Sequence, residues 1–216
     1  MSERRALRVA VLVSGRGSNL QALIDAVRAG ELPAEIVLVA SNRIEAEGLR
    51  RAEAAGIATL ALDPAAYAER ADYDRALFAR VAEAEPDLVV LAGFMRVIAP
   101  AALAPWAGRI INIHPSLLPK YPGLRTHARA LAAGDARHGA SVHYVTAELD
   151  GGPVIAQIDL AIETGDTPET LATRLLPLEH RLLRQCVAWI AAGSVALVGD
   201  RLHVDGVART APVMLA

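Results

Sequence analysis

Cysteine is almost missing from this sequence: Cys186 is the only one among 216 residues. An internal disulfide framework and a thiolate metal site are thereby excluded, and a reducing compartment is expected. Cys186 falls inside a helical apolar pattern and reads as a small core residue rather than a nucleophile. A surplus of charge is missing too. Charged residues make up 21% and nearly cancel, leaving a formal charge of -2. There is no basic excess of the kind that neutralises a polynucleotide backbone, so nucleic acid is not expected as a partner. Long hydrophobic runs are also lacking. No apolar stretch approaches the roughly 20 residues of a membrane span, and Met1 to Arg8 is polar and charged with no apolar signal region. A soluble, cytoplasmic protein without a membrane partner is expected.

Hydrophobic residues, in contrast, make up 53% of the chain, enough to bury the core of one large domain, with little room for a second. A single domain over residues 1–216 is expected. Short apolar runs rich in β-branched residues alternate with longer amphipathic stretches. The runs Leu7 to Val13, Ile36 to Ala40, Thr59 to Leu62 and Leu88 to Ala92 read as strands; Leu20 to Ala29, Ala46 to Ala55 and Tyr73 to Ala84 read as helices. This is βαβ grammar. It predicts an α/β, Rossmann-like fold with a mostly parallel sheet covered on both faces, binding ligands at the edge where the strands end.

Three prolines between Pro115 and Gly123 exclude a regular helix or central strand there and predict an ordered loop. Strands at Ala140 to Val145 and Val154 to Ile162 flank Asp150-Gly151-Gly152-Pro153, a turn that lets them pair antiparallel. Thr167 is a helix cap with Pro168 at the first helical position, and apolar spacing then runs to about Ala191, with Pro177 a candidate kink. A hairpin over Val195 to Val204 completes an antiparallel C-terminal part.

Three sets of residues carry chemical character. Ser14-Gly15-Arg16-Gly17-Ser18-Asn19 ends the first strand and opens the first helix, where glycines permit a tight turn and the helix N-terminus favours an anion. The spacing is neither a Walker loop nor the full dinucleotide fingerprint, so the turn reads either as a phosphate site or as geometry alone. Asn112 and His114 share one face of the strand Arg109 to Ile113 and its end. An amide and an imidazole aimed at one oxygen suit acyl transfer, whose tetrahedral intermediate carries negative charge; a histidine held by backbone bonds is the alternative. Asp150, before two glycines, is a turn former on its own. Beside His114 it would raise the imidazole pKa and let the ring be protonated near neutral pH. His127, His138, His143, His180 and His203 show no HExxH or zinc-finger spacing, and no metal is indicated. There is no GxSxG elbow either.

Taken with Leu91-Ala92-Gly93-Phe94-Met95-Arg96, Asn112 to Pro119, Gly139-Ala140-Ser141-Val142-His143 and Leu149 to Pro153, these segments resemble the glycinamide ribonucleotide formyltransferase family, the folate-dependent enzymes of purine synthesis. The resemblance runs from about Val9 to Val207. It implies 10-formyltetrahydrofolate as cosubstrate and glycinamide ribonucleotide as acceptor, in a monomer or homodimer. It further implies a phosphate-binding half of about 1–100 and a catalytic, folate-closing half of about 101–207. Gly17, Ser18 and Asn19 match the residues that hold the phosphate, and Glu179 a position that contacts the same substrate. Met95, Arg96, Val97 and Ile98 match the folate-pocket wall, Arg70 a position near the folate glutamate tail, and Thr146, Ala147, Glu148, Leu149 and Asp150 a loop that closes the pocket. Asn112, His114 and Asp150 match the catalytic set. Without the resemblance, Glu179 reads as a solvated helix carboxylate and Arg70 as an ordinary surface arginine. Leu176 and Pro177 depart from the pattern, standing where more polar residues are expected, and Arg125 occupies a variable position.

Other members of the wider group fit less well. A methionyl-tRNA formyltransferase is expected to add a C-terminal domain and a basic face, and a formyltetrahydrofolate hydrolase a regulatory N-terminal domain. A sugar-nucleotide formyltransferase and a silent folate- or nucleotide-binding module remain as alternatives, the latter opposed by the intact trio.

Overall fold

The computed structural model describes residues 5–215, which fall into two compact units, one ending at Ile111 and the other beginning at Asn112. The first unit alternates β1 (Leu7–Val13), α1 (Ser18–Arg28), β2 (Ala34–Ser41), α2 (Glu47–Ala54), β3 (Thr59–Ala61), α3 (Arg70–Glu83), β4 (Leu88–Leu91) and the short α4 (Pro100–Leu103). Its strands lie in the order β4-β1-β2-β3, every pair parallel. β4 is buried along its whole length and β1 from Val9 onward. Central parallel strands need apolar residues on both faces, which is why these runs show no alternation. On α1 the buried Leu20, Leu23 and Ile24 recur at helical spacing and form one apolar stripe. The register sets Val13 beside Ser41 and Ser41 beside Ala61, with Leu12 beside Leu91. The strands therefore end together, and the loops that follow them share one edge.

β5 (Ile110–His114) carries the chain into the second unit, which adds α5 (Thr126–Ala132), β6 (Arg137–Tyr144), β7 (Val154–Ala161), α6 (Pro168–Ala192), β8 (Val195–Val198), β9 (Arg201–Val204), β10 (Val207–Ala208) and β11 (Val213–Leu215). Here the order is β11-β7-β6-β5, while β8, β9 and β10 make a separate antiparallel sheet. β6 and β7 pair antiparallel with Ala140 opposite Ile158, and β11 runs parallel to β7. α6 packs on β6 and β7 and buries Leu171, Leu175, Leu182, Leu183, Cys186 and Val187. Cys186 is completely buried, and burial pushes its thiol up, as befits an inert core residue. Thr167 accepts from the Thr170 N–H while the Thr170 hydroxyl accepts from the Thr167 N–H, closing a capping box over the Pro168 start.

The mostly parallel α/β sheet with an antiparallel C-terminal part follows the pattern predicted from the sequence. Differences are local. α3 begins at Arg70, before Tyr73, and α6 continues through Pro177 without a break. The expected C-terminal hairpin gains β10 as a third strand. α5 and β11 are additions that no sequence pattern announced.

Candidate active site

In the first unit the turn after β1 forms from residue types that permit it. Gly17 caps α1 in the left-handed region, at φ 69°, a conformation that costs glycine nothing. Ser18 opens the helix, and Asn19, on its first turn, is buried. No acidic side chain occupies that first turn, so the positive end of the helix dipole is not offset by a neighbouring carboxylate. The Ser14 hydroxyl donates to Asn42 Oδ1 at 2.5 Å and accepts from the Met95 N–H at 2.8 Å. The phosphate-type turn and the start of Met95 to Ile98 are thus tied together inside one unit. A cavity of about 560 Å³ opens beside the turn, bordered by Ser14, Gly15, Arg16, Asn42, Arg43 and Asp63.

The segment Met95 to Ile98 is irregular chain after β4, pinned at both ends. Ser14 holds its first N–H, and the buried carboxylate of Asp74, on α3, accepts from Ala99 N–H at 2.7 Å just beyond its end. Between the pins Met95 is 70% exposed and Val97 48%, while Ile98 is buried. Two apolar side chains held out to solvent by a fixed backbone are what a wall for a flat ring system needs. The Arg96 guanidinium lies 4.6 Å from the centre of the Tyr73 ring. Burial pushes the Tyr73 hydroxyl up to about 12 despite that cation. Arg70 stands exposed at the head of α3, the helix that carries Tyr73.

The second unit holds the catalytic candidates, and it brings all three together. His114 is buried; its Nδ1 lies 3.5 Å from Asp150 Oδ2, and its Nε2 donates to the Tyr121 carbonyl at 2.9 Å. Asp150 sits at φ 51°, after the exposed residues 146–149, and accepts from the Gly123 N–H at 2.8 Å. The turn depends on its glycines. A Cβ on Gly152 would run into the Tyr144 carbonyl oxygen, and one on Gly151 into the Glu148 side chain.

Asn112 joins the group through His143, a residue that sequence reasoning set aside with the non-metal histidines. Asn112 Nδ2 donates to His143 Nε2 at 3.1 Å, His143 Nδ1 donates to the Tyr144 carbonyl at 2.9 Å, and Asp150 Oδ1 lies 3.6 Å from His143 Nε2. With the Tyr144 carbonyl holding the hydrogen on Nδ1 and the Asn112 amide donating to Nε2, the ring fixes which face of that amide points at it. His143 follows a register shift between Val142 and His143 in the β6–β7 ladder. Such bulges re-aim side chains near active sites. The available signal was a histidine at the end of an otherwise apolar strand, within Gly139 to His143.

One expectation is reversed. Asp150 does push the His114 pKa up, but burial pushes it down more strongly, and the ring ends below its ordinary value. With its pKa below the ordinary value, His114 is mainly neutral at pH 7, not an imidazolium. For Asp150, burial raises the pKa, but His143, the Gly123 N–H and His114 together outweigh it and hold the carboxyl below the usual range. Glu179 lies half-buried on α6, with Leu176 half-buried and Pro177 exposed beside it. Arg125 is an exposed residue at φ 58° that precedes α5. Among the described residues no group of three or more His, Cys, Asp or Glu is arranged to hold a metal ion. No helix among them is long and apolar enough to cross a membrane.

Residues 7–187 match the formyl transferase family. The phosphoribosylglycinamide formyltransferase of Escherichia coli strain K12 is 46% identical over 200 residues, 93% of this chain and 94% of that protein. The trifunctional purine biosynthetic protein adenosine-3 of Gallus gallus is 43% identical over 189 residues, covering 88% of this chain but 19% of that longer protein. Among solved structures, the phosphoribosylglycinamide formyltransferase of Coxiella burnetii superposes with a TM-score of 0.93 at 46% identity, over 97% of this chain and 99% of that one. With the match spanning both units and the Asn112, His114 and Asp150 cluster assembled, the chain belongs to the formyl transferase family.

Proposed function

We propose that this chain transfers the formyl group of 10-formyltetrahydrofolate to the amine of glycinamide ribonucleotide, giving formylglycinamide ribonucleotide and tetrahydrofolate in purine biosynthesis. The observation that carries this reading is the position of Asp150, whose carboxylate faces His114 at 3.5 Å and the Asn112-bound His143 at 3.6 Å. A formyl-transfer site needs such a group, because a proton must leave one nitrogen and reach another while an oxyanion forms and collapses.

In this mechanism the free amine attacks the formyl carbon. A new C–N bond forms, the carbonyl electron pair moves onto oxygen, and Asn112 Nδ2 and His114 Nε2 donate to that oxyanion. For His114 the donation means exchanging its bond to the Tyr121 carbonyl for one to substrate. The developing negative charge also raises the ring's proton affinity, offsetting the lowering by burial. On collapse the carbonyl reforms and the bond to the folate nitrogen breaks. Asp150 relays the proton lost by the amine, through water, to that nitrogen, so charge and protons balance. Gly17, Ser18 and Asn19 hold the acceptor's phosphate and Glu179 its ribose. Met95, Arg96, Val97 and Ile98 wall the folate ring, residues 146–150 close over it, and Arg70 reaches the glutamate tail. The 216 residues act as one formyltransferase domain in the cytoplasm, as a monomer or homodimer, with small molecules as partners and neither nucleic acid nor membrane.

The deciding assay follows folate deformylation spectrophotometrically with and without glycinamide ribonucleotide, with Asp150→Asn alongside. Turnover that requires the ribonucleotide and is largely lost in the variant is expected. Folate turnover without acceptor would point to a hydrolase, and no turnover at all to another acceptor or a silent binder.

A further inference from the structure

The turn between β1 and α1 is braced from outside by α2. Gly48 N–H donates to the Gly15 carbonyl at 3.0 Å, and Arg51 Nε donates to the Arg16 carbonyl at 2.7 Å. The remaining arms of the Arg51 fork reach Gln21 Oε1 at 3.3 Å and the carboxylate of Glu47. One guanidinium therefore joins the turn, α1 and α2. The packing here leaves no slack: a Cβ on Gly17 would stand 2.7 Å from Gly48 Cα.

A trans peptide unit carries its C=O and N–H in opposite directions. Holding the Gly15 and Arg16 carbonyls toward α2 therefore turns the N–H groups of Arg16 and Gly17 away from it. The Gly17 carbonyl is taken by Gln21 N–H at 2.9 Å, the first bond of α1, which leaves Ser18 N–H directed out along the helix axis. Successive N–H groups fixed in this way form a concavity that suits an anion.

We propose that Arg51 is a positioning residue for the acceptor's phosphate: by gripping the Arg16 carbonyl it orients the peptide plane whose N–H, on Gly17, the phosphate uses. The inference rests on the reading of Gly17 to Asn19 as the phosphate grip. Arg51 acts through geometry rather than as a free cation, because Glu47 on the same helix pairs with it. Electrostatic attraction of the substrate by Arg51 is correspondingly blunted.

The test is steady-state kinetics of Arg51→Ala and Arg51→Lys with glycinamide ribonucleotide and with the same glycinamide riboside lacking the phosphate. Loss of one oriented hydrogen bond should raise the KM for the phosphorylated acceptor about tenfold in both variants, with kcat and the KM for formyl-folate held within about twofold. The kcat/KM for the unphosphorylated acceptor should not change. Glu47→Ala, which releases one arm of the fork, should shift the phosphorylated KM in the same direction by less, and it serves if Arg51→Ala does not fold. An unchanged phosphorylated KM in Arg51→Ala overturns the proposal. So does an equal loss for both acceptors, which would mean a general structural role, and so does normal behaviour of Arg51→Lys, which would mean simple charge attraction. Wild-type enzyme unable to formylate either acceptor would instead sink the function reading itself.

Discussion

His143 shows what one side chain can decide. Its Nδ1–H is committed to the Tyr144 carbonyl, so its Nε2 is left as an acceptor, and the Asn112 amide must turn its NH₂ toward it. In the proposed mechanism the second N–H of that group donates to the substrate oxygen. Replacing His143 with alanine should free the amide to rotate and lower kcat by roughly tenfold, one hydrogen bond's worth, while both KM values stay near wild type. Single-turnover formyl transfer would check this, and an undiminished rate would remove His143 from the site. For His114→Ala, where an oxyanion donor itself is lost, the expected fall is larger, about a hundredfold or more. A rate within a few-fold of wild type would count against that role. At this scale the trio Asn112, His114 and Asp150 was legible because strand alternation and a glycine turn constrain where those side chains can go. His143 was not, because a register shift decides its direction and no sequence pattern announces one.

The elements that place the site are held by side chains far away in sequence. Met95 to Ile98 has no regular hydrogen-bonded structure of its own, yet Ser14 on the β1 turn and Asp74 on α3 fix its two ends. Ser14→Ala and Asp74→Ala should each let the segment drift, raising the KM for formyl-folate several-fold. Asp74→Ala should also cost about 1–3 kcal/mol of stability, because the buried Ala99 N–H is left without its acceptor. Isothermal titration of a formyl-folate analogue, together with urea unfolding, separates the two effects. Unaltered folate binding in both variants would show that the pins are idle. The main alternation of strands and helices was readable, since each apolar run is long and its period clear. α5 and β11 were not. α5 is short, following a proline-rich loop and a left-handed Arg125, and β11 takes its strand character from pairing with β7, distant in sequence. Neither carries enough local signal to outweigh its surroundings.

For the molecule as a whole, buried histidines should decide how acid is tolerated. Burial is the main cause that lowers the pKa of His114, His127, His138 and His180, and His138 is taken down to about 4. His138 is buried, with Nε2 at 3.0 Å from His127 Nδ1, so a proton on either ring meets both a poor solvent and its neighbour. The unfolded chain binds protons at an ordinary histidine near pH 6.5, whereas the folded chain resists until far lower. Below pH 6.5 the unfolded state therefore holds more protons, and stability falls as pH falls. The contribution of His138 is complete above about pH 6.5 and gone once the pH drops below about 4; its upper limit is about 3 kcal/mol for a shift of that size. The carboxylates that are lowered, Asp135, Asp150, Asp159, Asp166 and Glu169, act in the same direction, but only as pH falls below their ordinary values near 4. Between pH 6.5 and 4.5 the loss should thus belong mainly to histidine. Thermal unfolding followed from pH 7.5 to 4.5 should show Tm dropping over that window in the wild type. The drop should be clearly smaller in His138→Gln, which keeps a polar group opposite His127 but cannot take up the proton. Equal slopes in the two proteins would mean that the His127–His138 pair does not control acid stability.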